Sequence, residues 1–417
     1  MKFFRNSIIY LGSSLVNKAI PFFLLPILTK YLSPTEYGLL SVFLILITFY
    51  RAFIGMNIDV NISKNFFNHT KEELAIIVGN IMFILLSSFL LVFMITLIGS
   101  LFFETIFSIP KKWILTIPLI TYMFMVNTLN LTILRNEGRA LIFGVFEILN
   151  TATTMGITIL LLVMYHYGWT SQVVGTLISY FLFYIISIVF MYKRGFISLR
   201  YNNQVVREVL RTSLPLIPHV LGSILITVSD RLFIEQMIDL ETVGIYSVGY
   251  TFGMVVILFT DAFIKTWSPW FFKSLVDPTL EKKQQIVKYT YAYIAAVLLL
   301  PIIISIGVKM VIPFIVDPSY FDATVYVFWI ALGYSIHGIY RIFYPYLVVL
   351  GKTSFLGISS TLAAGINLGL NYFFIDYFGA IGAAYSTIIA FAVSGLMVFL
   401  YQKKKYPMPW QLKKKSS

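Results

Sequence analysis

Long apolar runs recur along the whole of this chain, each about twenty residues or more, with only short polar breaks between them. An α-helix rises 1.5 Å per residue, so about 20 such residues cross the roughly 30 Å hydrocarbon core of a bilayer. The runs lie at about 7–30, 38–59, 75–98, 113–135, 140–165, 170–192, 213–238, 243–266, 286–309, 322–350, 354–376 and 379–401. The first holds Lys18, Pro21 and Pro26 and is too long for a secretion-signal core, so it reads as a span. Composition agrees: 12% of residues are charged, where a soluble domain carries about 25%. Lipid must be the solvent for most of such a chain. With no cysteine, and four histidines at no metal-ligand spacing, neither a thiol nor a metal centre is expected. The expected fold is an all-α integral membrane protein of about twelve transmembrane helices, without a cofactor.

Basic residues give the orientation. Alternate connections hold 22 Lys and Arg on one side of the membrane and 4 on the other, with five more inside spans. Cytoplasmic loops carry the excess, so both termini are expected in the cytoplasm and the number of spans should be even. The net charge of +13 then faces anionic lipid, and nucleic acid is not an expected partner. The longest connection is 193–212, and the outer stubs are shorter. A membrane enzyme that polymerises or ligates sugars needs a sizeable outer loop. There is also no phosphate-binding glycine loop, zinc helix or nucleophile elbow. The chain is therefore expected to work between its helices, as a transporter rather than an enzyme.

The two halves repeat. Gly38-Leu39-Leu40-Ser41-Val42 parallels Gly244-Ile245-Tyr246-Ser247-Val248. The turn Asn136-Glu137-Gly138-Arg139 parallels Leu350-Gly351-Lys352, and Thr176-Leu177-Ile178-Ser179 parallels Thr387-Ile388-Ile389-Ala390. The offsets are 206, 213 and 211 residues. The domain expectation is an N-terminal six-helix lobe over 1–192, a cytoplasmic linker over 193–212, a C-terminal six-helix lobe over 213–401 and a basic cytoplasmic tail over 402–417. Six spans per half make these parallel repeats, set around a central cavity.

Charge at the bilayer centre costs about 2.5–3.5 kcal/mol on insertion scales, so intramembrane ions face a cavity or a partner. The cations are Lys18, Arg51, Arg231, Lys265 and Arg341; the acids are Glu147, Asp230 and Asp261. Lys18 lies about 16 Å into its span and Arg51 about 12 Å from the end of its own. Arg231 adjoins Asp230. Arg341 shares helical spacing with His337, Tyr334 and Tyr344. Lys265, four residues after Asp261, reads as half of an interfacial salt bridge. Lys18, Arg51, Arg231 and Arg341 are the candidate anion-binding residues, and Glu147 and Asp230 the candidates for proton or sodium coupling. Polar stripes at helical spacing accompany them: His219, Ser223, Thr227 and Asp230; Glu147, Asn150, Thr154 and Thr158; Asn367 and Asn371. Such residues line wet interiors and also glue helices together. Pro21, Pro26, Pro215 and Pro218 mark helices expected to bend. Tyr165, Tyr167, Trp169, Trp267, Trp270, Tyr401 and Tyr406 read as interfacial belt residues. Tyr334 is a candidate for stacking on a sugar face.

These residues carry a resemblance. Leu28-Thr29-Lys30-Tyr31-Leu32-Ser33-Pro34-Thr35-Glu36-Tyr37-Gly38 resembles the first-loop signature of bacterial polysaccharide exporters. Pro215-Leu216-Ile217-Pro218-His219, with Ser229-Asp230-Arg231-Leu232-Phe233-Ile234, resembles the start of their second half. The chain is similar to the O-antigen and capsule repeat-unit flippases of the multidrug/oligosaccharidyl-lipid/polysaccharide exporter superfamily. That resemblance implies two lobes around a cationic cavity in the bacterial cytoplasmic (inner) membrane. It implies a substrate of oligosaccharide on undecaprenyl diphosphate, moved from the cytoplasmic to the outer leaflet, with polysaccharide polymerase and chain-length machinery as further partners. Related lipid-diphosphate flippases place arginines on their first, second and eighth helices. Lys18 and Arg51 match the first two in type; the eighth helix offers Lys265, a departure from the pattern. Lys18 and Arg51, helped by Arg231 or Arg341, would then hold the diphosphate while the lobes rock. The rival readings are a multidrug or small-cation exporter of the same superfamily, which should favour an acidic aromatic cavity, and a membrane-embedded polymerase or ligase.

Overall fold

In a computed structural model, residue 12 and residues 22–56, 58–275, 279–352 and 354–411 are described, without the side chains of 59, 60, 216 and 219. Lys18 and Pro21 lie outside them. The chain divides into two compact units, Met1–Leu221 and Gly222–Ser417. Among the described residues, ten stretches are helical, long and apolar enough to cross a membrane. The first expected span is represented by the short apolar helix α1 (Phe22–Tyr31). The seventh is α10 (Ile217–Met237), which carries Asp230, Arg231 and Glu235 and is not among the ten.

Unit one contains α2 (Pro34–Gly55), α3 (Asp59–Asn65), α4 (Lys71–Phe102), the short α5 (Lys111–Ile114), α6 (Thr116–Asn136), α7 (Ala140–Tyr165), α8 (Thr170–Lys193) and α9 (Asn203–Ser213). Helix α6 packs on α2, α4 and α8, and α7 packs on α8. Unit two contains α11 (Leu240–Gly253), α12 (Val256–Ser274), α13 (Leu280–Ile315), α14 (Thr324–Val349), α15 (Ser354–Phe378) and α16 (Ile381–Lys405). Here α14 packs on α11, α12, α13 and α16, and α15 packs on α16. The neighbour scheme is the same, with α11 and α12 together standing in the place of α2.

Local chemistry repeats at the offsets found in the sequence. The N-cap of α2 is Ser33, whose hydroxyl accepts from the Glu36 backbone N–H in a capping box. The N-cap of α11, 206 residues on, is Asp239, which accepts from the Thr242 N–H. Thr70 caps α4 and Thr279 caps α13 in the same way. Helices α6 and α14 both end on a left-handed glycine, Gly138 (φ 72°) and Gly351 (φ 64°), 213 residues apart. Each is followed by a residue whose N–H reaches five positions back, Arg139 to the Leu134 carbonyl (3.0 Å) and Lys352 to the Leu347 carbonyl (2.9 Å).

Several expectations are corrected. The eighth span holds as one apolar stretch, Leu240–Ser274, but it is broken inside: the chain leaves α11 at Gly253 and re-forms through three-residue bonds, Ile257 N–H to Met254 O (2.9 Å) and Leu258 N–H to Val255 O (3.0 Å). Pro215 lies in a short 3₁₀ turn, Leu214–Leu216, and Pro218 in the first turn of α10. A missing N–H costs nothing at a helix start, so this pair opens a helix instead of bending one. The outer stub after α4 contains a hairpin, Thr105–Ile106 with Ile109–Pro110, turned by Phe107 and Ser108 at positive φ. Trp169 and Trp267 are buried, against Phe43 and Trp113 in one unit and Phe263 and Phe271 in the other, and neither faces lipid as a belt residue would.

Residues 193–212 are ordered against unit one. Asn80 of α4 accepts from the Asn202 N–H (2.9 Å) and donates to the Arg200 carbonyl (3.0 Å), and the Ser198 N–H reaches the Ala75 carbonyl. After α16 the start of the tail docks likewise: Tyr291 of α13 donates to the Trp410 carbonyl (2.7 Å), and the Trp410 ring meets Phe343 and Phe399.

Candidate functional site

In unit one Arg51 sits one turn before the end of α2, because Met56 turns left-handed (φ 44°) and stops the helix. The helix thus ends four residues past Arg51, earlier than the sequence suggested. Its guanidinium carbon lies 3.5 Å from the ring centroid of Phe124 on α6, and that ring meets Tyr180 of α8 at 5.6 Å. The buried Nε has no hydrogen-bond partner, and no carboxylate among the described residues lies within ion-pair reach of Arg51. A desolvated cation–π contact contributes about 2 kcal/mol or more. An unpaired buried charge costs several. Arg51 as a whole is half-buried, so the ring contact offsets part of that cost, and its Nε remains without an acceptor.

Glu147 is half-buried on α7. In the stripe below it, the Ser179 hydroxyl of α8 sits 2.8 Å from Asn150 Oδ1, and Thr158 is buried against Gly175. Those two positions act as glue between α7 and α8. A second seam joins α6 to α8, where Ser187 donates to Asn127 Oδ1 (2.8 Å). The apolar runs gave no sign of it, since single Asn and Ser residues inside a span show no periodicity.

Unit two treats its charges differently. Asp230 is 1% exposed. It accepts from the Tyr246 hydroxyl (3.0 Å) and from Arg231 Nε (3.3 Å). Arg231 also donates to the Thr227 carbonyl (2.7 Å) and lies 3.9 Å over the Tyr250 ring. Tyr250 in turn bonds the Tyr334 hydroxyl and the Thr227 carbonyl. Tyr334 is therefore buried, with its hydroxyl engaged, and offers no face to a sugar.

Arg341 pairs with Asp261 at 2.5 Å. Asp261 thus takes a partner 80 residues away, on α14, while Lys265, its expected partner, is exposed. His337 stacks on Phe391 (4.6 Å), and Tyr344 lies exposed, so the expected face on α14 is split. Asn367 and Asn371 join Ser229, Ser386 and Thr387 in a buried network linking α10, α15 and α16. Among the described residues no group of three His, Asp or Glu could hold a metal ion.

Of the four candidate anion anchors, Arg231 and Arg341 each meet a carboxylate, Arg51 meets none among the described residues, and Lys18 lies outside them. Arg51 belongs to unit one, and Arg231 and Arg341 to unit two.

The arrangement has known counterparts. An inward-facing multidrug resistance transporter of the MATE family, in the MOP superfamily, matches with a TM-score of 0.73 at 14% identity, over 93% of this chain and 94% of that one. The lipid II flippase MurJ in an inward closed conformation matches with a TM-score of 0.72 at 16% identity, over 95% and 87%. At such identities the likeness is one of fold, and the fold is that of these transporters. A protein of the Lsg locus of Haemophilus influenzae is 24% identical over 374 residues, 87% of this chain and 89% of the relative. Residues 3–275 match the family model described as polysaccharide biosynthesis protein, and the chain belongs to that family.

Proposed function

We propose that this protein is a flippase that carries undecaprenyl-diphosphate-linked oligosaccharide repeat units, of O-antigen or capsule, from the cytoplasmic to the outer leaflet of the bacterial cytoplasmic membrane. Two six-helix lobes alternate access around a central cavity, and both termini are cytoplasmic. The observation that carries this reading is Arg51: a guanidinium inside a span, stacked on Phe124, with no carboxylate among the described residues. A diphosphate supplies the acceptors such a group lacks. Lys18 is the second anchor. Arg231 or Arg341 helps them, and Glu147 and Asp230 are the points of proton or sodium coupling. Family membership and likeness to a lipid II flippase support a lipid-linked substrate. The polymerase and chain-length machinery would act on the product.

The test is the leaflet in which lipid-linked oligosaccharide accumulates. Deleting the gene should trap it on the cytoplasmic side, and an Arg51→Ala chain present at wild-type level should fail to release it. Normal surface polysaccharide from that variant would remove Arg51 from the mechanism. A second reading, a cation exporter, is favoured by one observation, the acid Asp230 buried among Tyr246, Tyr250 and Tyr334. Raised drug sensitivity of the deletion strain, with its glycan intermediate correctly exported, would select it.

A further inference from the structure

The strap that follows α8 leaves a pocket of about 250 Å³ between itself and α4. Gly79 sets the closeness of the two: a Cβ there would collide with the Ser198 carbonyl. Asn80 then ties the strap down at Arg200 and Asn202. The inner wall is apolar, formed by Met82, Phe83, Leu86 and Tyr122, and the rim carries Arg200 and Tyr201. Arg200 is exposed, and among the described residues it meets no carboxylate. Leu199, next to it, is 96% exposed. Phe83 and Leu86 are also open, which extends the apolar wall outward from the pocket.

We propose that this pocket holds one anionic phospholipid, with its phosphate on Arg200 and an acyl chain laid over Phe83 and Leu86. Three features select that chemistry. The lining is amphiphilic, apolar within and cationic at the lip. The connection belongs to the Lys- and Arg-rich side of the sequence, where Lys193, Arg194, Arg207 and Arg211 also lie, and such a surface attracts anionic headgroups. An outward leucine beside an outward arginine suits headgroup depth, with the leucine among acyl chains and the guanidinium among phosphates. A free phosphate would leave the apolar wall empty. A neutral phospholipid would leave the guanidinium without net countercharge. The site stands whether or not the transport reading holds.

The experiment is native mass spectrometry of the delipidated full chain titrated with phosphatidylglycerol or phosphatidylethanolamine, together with thermal melting. The wild-type chain should retain one phosphatidylglycerol in preference to phosphatidylethanolamine and melt higher with it. Arg200→Gln should weaken retention about fivefold, as expected for one arginine at a lipid surface. Met82→Trp, which fills the inner wall, should abolish it. Because Arg200 and Leu199 are exposed, Arg200→Gln and Leu199→Ser should leave the lipid-free melting point unchanged. Replacing Lys413, Lys414 and Lys415 by Gln should not affect the retained lipid. Equal retention of the two lipids, unchanged retention in Arg200→Gln and Met82→Trp, loss with the tail lysines alone, or an equal melting shift from inorganic phosphate would each overturn the proposal.

Discussion

The two units share a helix scheme, cap positions and left-handed glycines, yet they handle intramembrane charge in opposite ways. In unit two Arg231 and Arg341 each lie against a carboxylate, and tyrosines close around the first pair. In unit one Arg51 has an aromatic ring and, among the described residues, no acid. A scaffold can therefore be duplicated while its electrostatics diverge, because caps and turns depend on local sequence and ion pairs depend on which side chains meet across helices. Unit two's arginines find their countercharge within the fold, whereas Arg51 meets a ring.

That contrast can be broken by substitution. The largest effect is expected at Asp230→Ala, which strands Arg231 in a buried site; removing one partner of a buried pair costs about 3–5 kcal/mol. Thermal melting in detergent should show it, and adding Arg231→Leu should recover part of the loss. Full stability in the single variant would mean that Asp230 does not support Arg231. A smaller loss, about 1–2 kcal/mol, is expected for Asp261→Asn, because the Arg341 side chain is 27% exposed and water screens it in part. The smallest effect on stability is expected at Arg51→Leu, within about 1 kcal/mol of wild type, since loss of the ring contact is offset by loss of the orphan charge. If that variant instead unfolds as readily as Asp230→Ala, Arg51 is structural and the contrast between the units fails.

Much of the scaffold was legible in the sequence for a physical reason: it is written in short-range chemistry. The turns at Gly138 and Gly351, read as equivalent 213 residues apart, each form within a few neighbouring residues, so their pattern survives in the string. The charge pairs were not legible. Spacing along one helix joined Asp261 to Lys265, but the fold joined it to Arg341 on a helix 80 residues away. Tyr334 met the same fate, because its burial is set by α11, and periodicity along α14 contains no information about α11. The break between α11 and α12 was hidden as well, since Gly253, Met254 and Val255 keep the run apolar. The strap and the docked tail were read as linker and tail because polar composition does not say that Asn80 or Tyr291 will capture a backbone.

Helices α4 and α13 hold equivalent places in the two units, and with 32 and 36 residues they are the longest in each. At 1.5 Å per residue they measure about 48 and 54 Å, against roughly 30 Å of hydrocarbon. Exposed side chains such as Leu91, Ile95 and Ile98 on α4, and Leu299, Ile303 and Ile306 on α13, leave a broad greasy band on each. An over-long rod with such a band meets a thinner or thicker membrane by changing its tilt, at a cost of fractions of a kcal/mol per Å of mismatch. Each of these two helices can therefore meet a thinner or a thicker bilayer by leaning, without unpacking from its own unit.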